Sequence, residues 1–183
     1  RPGPDVQAFE PAPPVACAAG EKVNDDGDRC EACEAGTYQN QAGQASCKPC
    51  PSGFACKVGA SEAVECVAGE RVGVDKDVCE KCDAGTYQDV VQQTSCKACD
   101  IGSFCSVGSD AQTPCAKGTY TDASMAVKDQ CAPCSAGNYQ SDTGASECVD
   151  CEAGSYCEAG SAAALKCDAG TYQQQAGQVS CEP

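Results

Sequence analysis

Four cysteines spaced as Cys30-x2-Cys33-x13-Cys47-x2-Cys50 could do chemistry in three ways. As thiolates they would close a four-sulfur tetrahedron around zinc. A Cys-x2-Cys pair at a helix N-terminus would exchange electrons with a substrate disulfide. As bridges they would staple short loops. The same arrangement recurs at Cys79, Cys82, Cys96 and Cys99, and again at Cys131, Cys134, Cys148 and Cys151. Eight further cysteines keep that register but have no place in a four-ligand site: Cys17, Cys56, Cys66, Cys105, Cys115, Cys157, Cys167 and Cys181. The chain has no histidine, and no window shows a sustained helical period for a redox pair to cap. Bridges are therefore the reading, with no metal and no cofactor.

Other chemistry is thinner. Asn24-Asp25-Asp26-Gly27-Asp28 is dense in oxygen ligands, but it lacks the twelve-residue loop and closing Glu of a calcium site, so it reads as a solvated turn. There is no nucleophile elbow and no phosphate loop. With every thiol committed to a bridge, the chain reads as non-enzymatic.

Composition agrees with a stapled scaffold. Twenty of 183 residues are cysteine, while the formal net charge is −15. Large aliphatic residues are too few for one sizeable core, so order must come from covalent links between small modules. An even cysteine count at repeating spacings points to an oxidising compartment, extracellular or at the cell surface. The acidic balance argues against nucleic acid. No apolar run reaches the length of a membrane span. None of the three Asn lies in an Asn-x-Ser/Thr site.

These cysteines are positioned by a repeat. Ten openers, each followed by x-x-Gly, stand at Cys17, Cys33, Cys50, Cys66, Cys82, Cys99, Cys115, Cys134, Cys151 and Cys167, about 16 residues apart. Each unit holds one further, closing cysteine. In every third unit the closer follows after only 6 residues, as in Cys50 and Cys56. Three units make a module, which divides the chain into a Pro-rich arm at 1–16, modules at 17–65, 66–114 and 115–166, and the start of a fourth at 167–183. The arm offers proline modification or O-glycans, or a contact with another subunit. The last unit stops mid-pattern, which is expected of a longer native polypeptide.

Within a unit the glycine at +3, as in Gly36, Gly85, Gly137 and Gly170, marks backbone that needs positive φ or a close approach. The aromatic at +5, as in Tyr38, Tyr87, Tyr139 and Tyr172, is placed to cover a disulfide and give the unit a miniature core. Turn residues such as Gln41-Ala42-Gly43-Gln44 then reverse the chain. The expected fold is a set of small disulfide-rich repeats: an elongated rod of short β-hairpin modules with little regular secondary structure and no large core. Spacing alone leaves the pairing open. Joining each opener to its own closer, as in Cys17–Cys30 and Cys33–Cys47, gives self-contained beads, each loop worth about 3 kcal/mol. A crossed map, with Cys33–Cys50 and Cys47–Cys56, competes with it.

The run from Cys33-Glu-Ala-Gly-Thr-Tyr-Gln through Cys47-Lys-Pro-Cys50-Pro-Ser-Gly-Phe54 resembles the ephrin-receptor-like cysteine-rich repeat, and more loosely tumour-necrosis-factor-receptor and EGF-like modules. The resemblance extends over about 17–183. It implies a stapled rod of the kind used in receptor ectodomains, adhesion proteins and large surface proteins. The leading expectation is a structural segment of a surface filament or fibre, such as a flagellar hair, built by self-association or with other fibre proteins. The alternative is a receptor or adhesion ectodomain for a protein ligand. A binding site would break the repeat symmetry, as the chain does near Ser124–Val127 and Asp89–Val91.

Overall fold

The computed structural model describes residues 15–183. The Pro-rich arm therefore lies, but for its last two residues, outside the described part. Nine two-stranded antiparallel hairpins follow one another. They are β1 (Glu21–Val23) with β2 (Cys30–Ala32), β3 (Thr37–Tyr38) with β4 (Lys48–Pro49), and β5 (Phe54–Ala55) with β6 (Val64–Glu65). Next come β7 (Glu70–Val72) with β8 (Cys79–Lys81), β9 (Thr86–Tyr87) with β10 (Lys97–Ala98), and β11 (Ser103–Phe104) with β12 (Thr113–Pro114). The last three are β13 (Thr119–Tyr120) with β14 (Ala132–Pro133), β15 (Asn138–Tyr139) with β16 (Val149–Asp150), and β17 (Ser155–Tyr156) with β18 (Leu165–Lys166). The Cys167 unit closes with a single bridge between Tyr172 and Glu182. No helix occurs among the described residues, and so none long and apolar enough to cross a membrane.

The opener motif folds as it does because of its glycine. In Glu34-Ala35-Gly36-Thr37 the Thr37 N–H donates to the Glu34 carbonyl at 3.0 Å, and Gly36 has φ +77°. That positive φ at the third residue is what a type II turn demands. The turn aims the next residues into the first strand, and the opener's disulfide ties the strand pair at its base.

Bonds between units obey one rule at seven of the nine junctions. Take the Cys82 and Cys99 units. Gly85 N–H donates to Cys105 O at 2.8 Å, and Cys99 N–H returns to Gly85 O at 3.0 Å. Gln88 N–H reaches Ser109 O at 3.1 Å, and Gly108 N–H reaches Cys82 O at 2.8 Å. Equivalent sets of four link the Cys17 to the Cys33 unit, Cys33 to Cys50, Cys66 to Cys82, Cys115 to Cys134, Cys134 to Cys151, and Cys151 to Cys167. The units also reach one neighbour further. A Cβ on Gly69, at φ +83°, would run into the Gly108 carbonyl two units ahead, and one on Gly137 into that of Gly177. So the units are not the independent beads that unit-local bridges suggest. Their covalent bonds stay within a unit while their hydrogen bonds do not, as in a solenoid.

The buried residues include most of the opening cysteines and, in eight of the ten units, the position at +6 from the opener. That position holds Gln39, Gln88, Gln140, Val72 and Thr121, and in the short-bridge units the closing Cys56, Cys105 and Cys157. The rings at +5 lie only half-buried, and Tyr172 is exposed. Each buried glutamine is satisfied inside its own hairpin: Gln39 Nε2 donates to Ser46 O at 2.7 Å, and its Oε1 accepts from Gln41 N–H at 3.1 Å. An apolar cluster of Ala55, Cys66 and Val72, with Cys79 against it, sits between the first and second modules.

Candidate interaction surface

The structure joins the cysteines as opener to closer throughout. The bonds are Cys17–Cys30, Cys33–Cys47, Cys50–Cys56, Cys66–Cys79, Cys82–Cys96, Cys99–Cys105, Cys115–Cys131, Cys134–Cys148, Cys151–Cys157 and Cys167–Cys181. Their Cα atoms stand 5.3 Å apart in the Cys66 unit and 6.2 Å in the Cys99 unit, both within ordinary disulfide reach. Cys30, Cys33, Cys47 and Cys50 thus belong to three different bridges, and no thiolate is left to ligate or attack. Glu21 lies beside the Cys17–Cys30 sulfurs, but both are already bonded.

The acidic turn of the first unit is held from within. Asn24, 6% exposed, accepts from the Asp28 and Arg29 N–H groups at 3.0 and 3.1 Å, and donates to the Asp28 carboxylate at 2.7 Å. Its polar atoms are used in shaping the turn.

The side chains that vary from unit to unit meet across each hairpin at +5. In the Cys17 unit Lys22 faces Glu31, with their charges 3.7 Å apart; in the Cys66 unit Arg71 faces Glu80 at 2.9 Å. In the Cys33 unit the Lys48 ammonium sits 6.0 Å from the Tyr38 ring centre and 2.7 Å from the Asn40 carbonyl oxygen. In the Cys82 unit Lys97 lies 5.7 Å from the Tyr87 ring centre and is ion-paired to Asp89. That hydrogen bond holds the Asp89 carboxyl below the usual range and raises the Lys97 ammonium above its own. Such exposed pairs contribute little to stability, but they differ in kind along the array. Beyond the second module the partners change: Tyr120 faces Ala132, Tyr139 faces Val149, Tyr156 faces Leu165, and Tyr172 faces Glu182.

Concavities lie at several points along the array. The largest described, about 560 Å³, lies between the first and second modules, with Ala55, Ala60, Val64 and Val78 among its walls and Lys57, Glu62 and Asp77 at its edge. A second, about 320 Å³, is walled by Met125, Val127, Asp129 and Pro133, so the Ser124–Val127 departure does border a groove. A third, about 260 Å³, lies over Tyr120, Asp122, Asn138 and Glu147. Asp122 here is held below the usual carboxylate range, first by the Ser124 hydroxyl at 2.6 Å and then by the Ser124 N–H at 2.8 Å. The Asp89–Val91 departure borders none of these grooves; it carries the Lys97 seat instead.

Sequence reasoning singled out the +3 glycine and the +5 aromatic but passed over the +6 glutamine. The signal was present, since Tyr-Gln recurs at 38–39, 87–88, 139–140 and 172–173.

Two segments, 20–66 and 69–106, match the family described as tyrosine-protein kinase ephrin type A/B receptor-like. A stretch of 45 residues is also 42% identical to part of signal peptide, CUB and EGF-like domain-containing protein 2 of Mus musculus. That match covers 25% of this chain and 4% of the mouse protein. Residues 20–66 and 69–106 are thus ephrin-receptor-like cysteine-rich repeats, disulfide-rich modules of an extracellular type.

Proposed function

We propose that the array is a non-enzymatic recognition rod in the ectodomain of a secreted or cell-surface protein. The observation that carries this reading is the division of labour within each unit. Backbone bonds between units repeat along the chain, while the cross-strand pair on the surface changes from ion pair to lysine-on-tyrosine to uncharged. A scaffold that only spaced two ends would have no use for unit-specific surfaces. The ephrin-receptor-like repeats and the named EGF-like and CUB domains of the mouse relative support such a role. The test is binding of the purified, disulfide-intact chain to intact cells. Saturable binding abolished by reductant is expected; its absence overturns the reading.

The second reading is a fibre subunit that associates with copies of itself. What favours it is that units of the same fold already dock on one another, at seven of the nine junctions through four backbone hydrogen bonds. Light scattering under native conditions separates the two. A strictly monomeric chain rejects the fibre and leaves the recognition rod standing.

A further inference from the structure

We propose that the groove over Tyr120 and Asp122 is a seat for a lysine side chain of a partner polypeptide. The proposal rests on the reading of the chain as a recognition rod, and adds the partner's chemistry to it.

The chain supplies its own template. In the Cys82 unit, Tyr87 and Asp89 together hold the Lys97 ammonium, the ring below it and the carboxylate beside it. Tyr38 and Asn40 hold Lys48 in the same way. The Cys115 unit repeats the first two members at the same spacing, as Tyr120 and Asp122. The residue paired with Tyr120 across the hairpin, where Lys48 and Lys97 stand in the other units, is Ala132. Ring and carboxylate thus open onto a groove of about 260 Å³ instead of onto the chain's own lysine.

The surroundings favour a cation. Glu147 and the Asn138 amide border the same groove. Between Lys128 and Lys166 the sequence has six carboxylates and no Lys or Arg. One oxygen of Asp122, Oδ1, is engaged by the Ser124 N–H and hydroxyl and by the Met125 N–H at 3.2 Å, which fixes the carboxylate's position. Its other oxygen has no hydrogen-bond partner among the described residues. Lys128 attracts Asp122 but makes no ion pair with it and does not border the groove. A cation over a half-buried ring with a carboxylate beside it, both open to solvent on one side, is a weak contact. Selectivity therefore comes from the ammonium's fit, and the single seat binds weakly by itself.

The test is a ¹⁵N NMR titration of the disulfide-intact chain with a Gly-Lys-Gly-Lys-Gly peptide and with its ε-acetylated twin. The free-amine peptide is expected to shift Tyr120, Asp122 and Glu147, and the acetylated one to shift none. A132K, which recreates the Lys-Pro dipeptide of Lys48-Pro49, is expected to lose these shifts by supplying the cation from within. K97A, outside the groove's lining, is expected to add a second responding set at Tyr87 and Asp89. It keeps the test valid if A132K disturbs its hairpin. Shifts spread evenly over all acidic residues, or equal responses to both peptides, overturn the proposal. So does peptide binding that A132K leaves intact while K97A adds nothing. Cell binding by the whole chain that survives A132K overturns the seat while leaving the recognition rod. Peptide shifts without any cell binding overturn the rod while leaving the seat's chemistry.

Discussion

The junction between the Cys82 and Cys99 units and that between the Cys50 and Cys66 units are built from the same repeat but not to the same standard. The first has all four backbone hydrogen bonds; the second keeps two, Cys66 N–H to Gly53 O at 3.2 Å and Cys56 N–H to Lys76 O at 2.7 Å. In place of the others stand the Ala55–Cys66–Val72 cluster and the largest described groove. The short bridge of the outgoing unit is not the cause. Three junctions leave a short-bridge unit: two bonds remain after Cys50, three after Cys99 and four after Cys151. What differs is the turn of the incoming unit. The Cys167 unit carries Gln175-Ala176-Gly177-Gln178, which matches Gln41-Ala42-Gly43-Gln44. The Cys66 unit has Val74-Asp75-Lys76-Asp77 in a loop one residue shorter, with sequence separation 13 instead of 14. The Lys76 carbonyl of that turn still meets Cys56 N–H, while Gly53 N–H and Cys50 O lack the partners their counterparts have. The array is thus stiff within modules and softer between the first two.

The largest effect should come from forcing a side chain into a stiff junction. Gly69→Ala adds a Cβ against the Gly108 carbonyl and an L residue at φ +83°. Left-handed backbone and overpacking together should cost roughly 2–4 kcal/mol. Gly154→Ala has a similar φ, +79°, but nothing within 4 Å, so it should cost only about 1–2 kcal/mol. Thermal unfolding of both variants with disulfides intact checks the difference. Equal destabilisation would falsify the role given to contacts two units apart.

Gln88→Ala should come next. It strips a buried side chain from the Ser95 carbonyl and the Val90 N–H, 2.7 and 3.1 Å away. Gln88 is buried but Ser95 and Val90 are exposed, so water can replace part of the lost bonding and the cost is about 1 kcal/mol. The loss should be read locally, as faster amide exchange in the Cys82 and Cys99 units and not in the Cys17 unit. In the unmutated chain Gly53 N–H, which lacks the acceptor its counterparts have, should exchange on the order of tenfold faster than Gly69 N–H. Lys76→Gly sharpens the contrast from the other side. It relieves a non-glycine φ of +57° at the soft joint and should gain up to about 1 kcal/mol.

Much of this was legible because cysteine spacing writes period and unit length directly into the sequence. The 16-residue unit, the triplet, the turn glycines and the hairpins all follow from it. The contacts between units were not legible, because backbone donors and acceptors leave no side-chain signature. Gly69 announces that something comes close, but not that the something is the carbonyl of Gly108. Cross-strand pairing was hidden for another reason. Tyr38 meets Lys48 ten residues on and Tyr120 meets Ala132 twelve on, so the pair depends on how the turn is built. The +6 position was hidden by its chemistry. Glutamine reads as a surface residue, and only its bonds to Ser46, Ser95 and Glu147 carbonyls show why it can be buried.

The smallest effect tests the intermediate junction, between the Cys99 and Cys115 units. Its turn is the longest, with 16 residues from Cys115 to Cys131, yet Lys128 O still reaches Cys105 N–H at 2.9 Å. Asp122 shapes that turn by accepting from Ser124 and Met125, and those bonds depress its carboxyl pKa. A depressed folded pKa means that the stabilisation is present above the unfolded value, about 3.9, and is lost as pH falls through the folded one. Acid should therefore loosen this junction first at its turn, seen as faster exchange of the Cys105 N–H below about pH 3.9. The Cys82–Cys99 junction has no carboxylate among its four bonds and should not respond in that range. Ser124→Ala should move the Asp122 midpoint back toward the ordinary value in an NMR titration. A midpoint that stays put would show that the inserted turn is held by something other than this carboxylate.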